Sequence, residues 1–147
     1  MLLAGGIHLA RVFYTYHTLE KALRGGAGLL ARTSNVNYCD AGNTAITGAK
    51  NFIVYGNLQG EGAPIVPNLA DFIQILPERQ DSTSTSVNAC PCGTADPDDC
   101  DVSSGGRAPD FIVVNLGSGY PLALPFAYIS LTTLNLKVSV RMPVTGG

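Results

Sequence analysis

The side chains in this chain best able to form bonds of their own are four cysteines, Cys39, Cys90, Cys92 and Cys100, three of them crowded into one short polar stretch. An even, clustered set of thiols points to disulfides made in an oxidising compartment. Zinc is the competing use, but zinc modules pair their ligands as C-x2-C, and the only close pair here is the C-x-C of Cys90-Pro-Cys92. Four cysteines allow three pairings. Closing so small a ring across a proline disfavours a Cys90–Cys92 bond, and the spacing chooses no further. Asp96, Asp98, Asp99 and Asp101 share the same stretch without the D-x-[DN]-x-[DN]-G spacing and closing glutamate of a calcium loop, so a solvated acidic tip is expected. The two histidines, His8 and His17, are too far apart for the i, i+4 pair of a zinc helix, and neither C-x-x-C nor G-x-S-x-G occurs. These residues give no reading as an enzyme and call for no cofactor and no metal.

Composition narrows the choices further. A chain of 147 residues suits one domain large enough to bury a core. Its charged fraction of 14% is low against a typical quarter, and the net charge of −2 offers nothing to a phosphate backbone. With no tryptophan and few aromatics, a stacking platform for single strands is also excluded, so nucleic acid is not among the expected partners.

The elements that must position these groups begin with residues 1–32, a proline-free stretch with a sustained helical pattern. Leu9, Val12, Phe13, Tyr16, Leu19, Leu23, Ala27 and Leu30 recur in steps of three and four and form one apolar face. A narrower polar stripe runs through His8, Arg11, Thr15 and Thr18. The run over residues 2–10 is shorter than the roughly 20 apolar residues a bilayer span needs. It reads as the tail of a span whose beginning lies outside this chain, with Arg11 snorkelling at the membrane exit and Tyr14 and Tyr16 in the interfacial belt, or else as part of a soluble amphipathic helix that packs on protein with its tyrosines in the core. Gly25, Gly26 and Gly28 would let another backbone approach closely, or else mark a helix end or hinge.

A connector carrying Cys39 follows, then a short helix over Thr44–Tyr55, capped by Asn43, ended by Gly56 and burying Ala45, Ile46, Ala49, Phe52 and Ile53. From residue 60 the texture becomes that of strands and turns. Residues 69–76 read as a strand stopped by Pro77, and 88–107 as a cysteine-bearing loop. Residues 110–118 read as a buried strand running into a turn at 119–121, and 134–142 as one half-exposed antiparallel strand. Residues 122–129, broken by Pro125, fit no assignment. The expected fold class is α+β: a long N-terminal helix (1–32), then a head (33–147) with a short helix and an antiparallel sheet of three to four strands.

The run Gly6-Ile7-His8-Leu9-Ala10-Arg11-Val12-Phe13-Tyr14, continuing through Tyr16, Leu19, Ala22, Arg24, Gly26 and Ala27, resembles the TadE-like proteins, pilin-like membrane-anchored components of bacterial tight-adherence pili. More loosely, Cys90-Pro-Cys92-Gly93 and Cys100, followed by Phe111-Ile112-Val113-Val114 and a final β segment, look like the family's periplasmic region. Where the family places a glutamate inside the apolar helix this chain has His8, and where it places a glycine before the arginine it has Ala10. The resemblance implies a structural component of a Tad-type pilus or secretion apparatus, in the bacterial inner membrane with a periplasmic head or in the extracellular pilus. Ile7, His8, Arg11, Tyr14, Tyr16, Leu19 and Gly26 would then form the anchor and assembly surface, with the membrane and other pilin-like subunits or Tad assembly proteins as partners. The alternative is an adhesin-like module that binds through the Ser/Thr-rich and acidic residues 81–107.

Overall fold

The first helix, α1 (Leu2–Arg32), runs unbroken through all its glycines. At 1.5 Å per residue its 31 residues reach about 45 Å. Packing rather than propensity holds it. Leu19, Ala22, Leu23, Ala27 and Leu30 are buried together in the core, whereas among residues 5–14 no side chain is buried. The computed structural model describes residues 2–81, 83–93, 98–123 and 133–146.

A helix leaves its last carbonyls without partners inside the helix. Here the rest of the chain supplies them. The Thr33 hydroxyl donates to Leu29 O, and the Tyr38 hydroxyl and Thr33 N–H both donate to Leu30 O. From the far end of the sequence, the Thr145 and Gly146 N–H groups donate to Ala31 O.

The second helix, α2 (Thr44–Tyr55), forms as its sequence anticipates. The Asn43 side chain accepts from Ala45 N at 3.0 Å, and Gly56 ends the helix at φ +76°, where its N–H reaches Phe52 O. Its buried face is Ile46, Ala49, Ile53 and Val54, with Ala45 and Phe52 half-buried at the margin. This face crosses α1 at the glycines. A Cβ on Gly25 would stand 2.7 Å from the Phe52 ring, and one on Gly26 would overlap the Ile53 side chain and lie 3.3 Å from Ala49 O. The backbone that Gly25 and Gly26 admit is therefore α2 of the same chain, and the helix neither ends nor hinges there.

The main sheet is antiparallel with strand order β2-β1-β3-β6, from β1 (Gln74–Gln80), β2 (Val87–Ala89), β3 (Phe111–Asn115) and β6 (Ser139–Pro143). A second, two-stranded sheet joins β4 (Tyr120–Ala123) to β5 (Thr133–Leu136). Ile112, Val114 and Val140 face the core with α1. The α+β class, with a long helix, a short helix and a four-stranded sheet, matches the expectation from sequence.

Details of the sheet differ. Leu69–Phe72 is a 3-10 turn, and the strand expected at 69–76 instead begins at Gln74 and passes through Pro77. Pro77 is tolerated because backbone groups alternate sides along a strand. Glu78 O accepts from Asp110 on the β3 side, whereas Pro77 O accepts from Cys90 N on the other side, just where β2 ends. The strand expected at 134–142 divides into β5 and β6, which serve different sheets. Its alternation survives the division: Leu136, Val138 and Val140 are buried, and Asn135, Lys137, Ser139 and Arg141 are exposed. The turn expected at 119–121 falls earlier, closed by Gly119 N donating to Leu116 O, and Tyr120 and Pro121 already belong to β4. Of the unassigned 122–129, Leu122 and Ala123 are in β4, and 124–129 lie outside the described residues.

Two measurements check this packing. Gly26→Ala should lower stability by about 1–3 kcal/mol through overpacking, with partial recovery on adding Ile53→Val. Gly28→Ala, where a Cβ meets nothing within 4 Å, should raise it by up to about 1 kcal/mol. Both are read from denaturant midpoints. Burial pushes the Tyr38 phenol up to about 12. Because the folded value exceeds the usual 10, its contribution is intact below pH 10 and lost as pH rises from there towards 12. Tyr38→Phe should cost about 1 kcal/mol at neutral pH, yet lose less stability than the parent on going to pH 11.

Candidate functional site

Two features stand apart from the core, the first half of α1 and the disulfide-bearing loop. On α1, Ile7, Leu9, Phe13, Tyr14 and Tyr16 are exposed, Ile7 by 69% and Tyr14 by 75%. Arg11 is exposed beside them and His8 is half-buried. Leu9, Phe13 and Tyr16 continue the line of the buried face, whereas Ile7 and Tyr14 lie on the opposite side, so the helix is apolar around most of its circumference. Leu19 and Gly26 are placed differently from the other residues expected to make an assembly surface. Both are buried, Gly26 against Ile53, and work inside the chain.

The loop is organised by its cysteines. The bonds are Cys39–Cys92 and Cys90–Cys100, one of the pairings the sequence leaves open. All four thiols are consumed, which leaves no thiolate for zinc. Cys39–Cys92 ties the loop to the connector that leaves α1, and the Asn37 amide reinforces the tie by donating to Asp101 Oδ1 at 2.8 Å. That carboxylate also accepts from the Ser103 N–H and hydroxyl. The Ser103 hydroxyl first, then Asn37, hold Asp101 below the ordinary aspartate range, so it stays charged.

The loop is less solvated than its composition suggests. Asp99 is fully buried, its Oδ1 accepting from Asp101 N at 2.7 Å and its carbonyl from Arg107 N at 3.0 Å. Beneath it lies Arg79 of β1, also buried, whose Nη2 donates to the carbonyls of Asp99, Arg107 and Ala108. One guanidinium thus gathers three carbonyls from both limbs of the loop. Sequence reasoning missed Arg79, since an arginine amid Pro-Glu-Arg-Gln carries no signal of burial, and only the fold brings residues 99 and 107 beneath it. Residues 94–97, with Asp96, lie outside the described residues. Among the described residues, no group of three or more potential metal ligands comes together. No helix there is long and apolar enough to cross a membrane.

The chain matches no protein-family model, no curated protein and no solved structure.

The staples can be tested separately. Peptide mapping without reductant should recover Cys39–Cys92 and Cys90–Cys100. In the chain-entropy account, removing Cys39–Cys92 as a double serine variant should cost about 4 kcal/mol, and removing Cys90–Cys100 about 3 kcal/mol, since the first closes 53 residues and the second 10. Denaturant titration gives both values.

Proposed function

We propose that this protein is a structural, pilin-like component of a bacterial Tad-type pilus or secretion apparatus that assembles through the first half of α1. The observation that carries this reading is the exposure of Ile7, Leu9, Phe13, Tyr14 and Tyr16 on a helix whose other half is locked into the head. Each such side chain forgoes about 1.5–3 kcal/mol of burial while it faces water. An isolated helix shorter than about 12–15 residues is marginal in water, and this stretch also contains Gly5 and Gly6. Neighbouring helices or a membrane interface would supply the missing contacts, with Arg11 and the two tyrosines at the headgroup level. The resemblance of this helix to the TadE-like family points the same way. Two disulfides favour a head in the periplasm or outside the cell. Partners on this reading are other pilin-like subunits, Tad assembly proteins and the inner membrane, and the role is non-catalytic.

A second reading, an adhesin-like surface at 81–107, is favoured by the double stapling of the loop. A rigid loop loses little entropy on binding. Deleting the tip between the cysteines should then abolish surface attachment while leaving assembly intact; unchanged attachment would remove this reading.

For the leading reading, the protein expressed from its native locus should fractionate with membranes or sheared filaments. A variant carrying Ile7→Asp, Phe13→Asp and Tyr14→Asp should leave that fraction while keeping the parent's melting temperature. Finding the parent wholly soluble and monomeric would overturn the proposal.

A further inference from the structure

The outward side of α1 is hollowed between Arg24 and Arg32. Phe52 from α2 and Met142 from β6 form the walls, Leu29 lies alongside, and Gly25 and Gly28 leave bare helix at the bottom of an open groove of about 580 Å³. The two glycines differ. Gly25 is needed where the Phe52 ring crosses the helix, but at Gly28 a Cβ would meet nothing within 4 Å. Nothing among the described residues explains why α1 gives up a side chain there, at a cost of about 1 kcal/mol in helix propensity.

The rims are cationic. Arg24 and Arg32 stand about 12 Å apart along the helix axis, given 1.5 Å per residue. Arg24 already pairs with Glu20 at 2.8 Å while remaining 64% exposed, and Arg32 has no carboxylate partner among the described residues. Charge is also segregated along the chain. Residues 2–32 carry four basic side chains against one acidic, and with a total of −2 the remainder carries a net −5. An occupant complementary to the groove is an apolar side chain flanked by carboxylates. The chain offers one in Val102, 41% exposed, next to Asp101 and near the exposed Asp98 in the stapled loop.

We propose that the groove between Arg24 and Arg32 receives the loop of residues 98–104 from a second copy, with Val102 seated over Gly28 and the aspartates facing the two guanidinia. The loop does not enter its own groove: Cys39–Cys92 and the Asn37–Asp101 bond hold it just past the C-terminal end of α1, where Val102 shares a neighbouring hollow with Thr33, Val36 and Tyr38. Groove and loop are different surfaces of one chain. A contact between two different surfaces is heterologous, and repeated head-to-tail it adds copies into a ring or an open chain with no limiting dimer. It rests on the assembly reading above and names the partner surface. Solvent-exposed ion pairs are weak and screened by salt, so the contact alone is weak and ionic-strength dependent.

The test uses the full chain with Ile7→Asp and Phe13→Asp, so that the apolar part of α1 cannot drive association. Sedimentation velocity should show mass growing with concentration without a limiting dimer, at least tenfold weaker in high salt. Gly28→Leu, which fills the groove, should abolish it, as should Arg24→Glu with Arg32→Glu. Asp98→Lys with Val102→Lys should also fail alone. Mixing these two charge-reversed proteins should restore association, since each groove then meets a complementary loop. A closed dimer, insensitivity to salt, failure of the mixture with both variants folded by circular dichroism, or a monomer throughout would each overturn the proposal. So would loss of filament incorporation by Gly28→Leu when the parent does not self-associate, which would assign the groove to a different protein. The assembly reading is judged separately, by membrane and filament partition.

Discussion

The structure depends on how closely α2 can approach α1. Gly25 and Gly26 bring the second helix near enough for Ile53 and Ala49 to be fully buried and for the Phe52 ring to lie across the first helix. That crossing sets the position of the connector between the helices. The connector in turn fixes Cys39 and Asn37, which hold the loop, and Tyr38, whose hydroxyl closes the end of α1. A wider crossing would displace every one of these partners. Interiors pack at crystal-like density, and no soft layer exists to absorb the shift.

From that crossing the chain divides into a held part and an unheld part. Beyond Leu19 the helix is sandwiched between α2 and the sheet, and its last carbonyls are covered by residues from both the connector and the end of the sequence. Over residues 5–14 it buries no side chain completely. The described part of the loop is the opposite case: a segment of low regularity that covalent bonds and one buried arginine tie to the head. Such a segment gains its order from cross-links because it has little apolar surface to bury.

Periodic features were the most legible in the sequence. The heptad-like spacing of α1, the Asn43 cap and Gly56 terminator of α2, and the in-out alternation from Leu134 to Met142 all transferred to the structure because each is a local property of the chain. Pairing was not legible. Whether Val138 ends one strand or links two depends on which neighbour offers hydrogen bonds, and Pro77 enters a strand only because β2 stops beside it. The same limit applied to the surface. The apolar pattern named Leu9 and Leu19 as equivalent, and only the reach of the head along the helix separates the exposed one from the buried one. Arg79 and the groove at Gly28 were invisible for the same reason, being made by residues distant in sequence.

The separation of charge bears on how such a chain would find its neighbours. A basic helix and an acidic head repel their equivalents and attract their opposites, so copies meeting helix to helix pay a repulsion that copies meeting helix to head do not. The apolar first turns of α1 act in the other sense, since burying Ile7, Phe13 and Tyr14 against their counterparts is favourable in any orientation and carries no direction. Strength and direction would therefore come from different residues. In the proposed assembly the apolar turns would supply the free energy of association, and the charged groove and loop its polarity, which is the division of labour an ordered, one-way assembly needs.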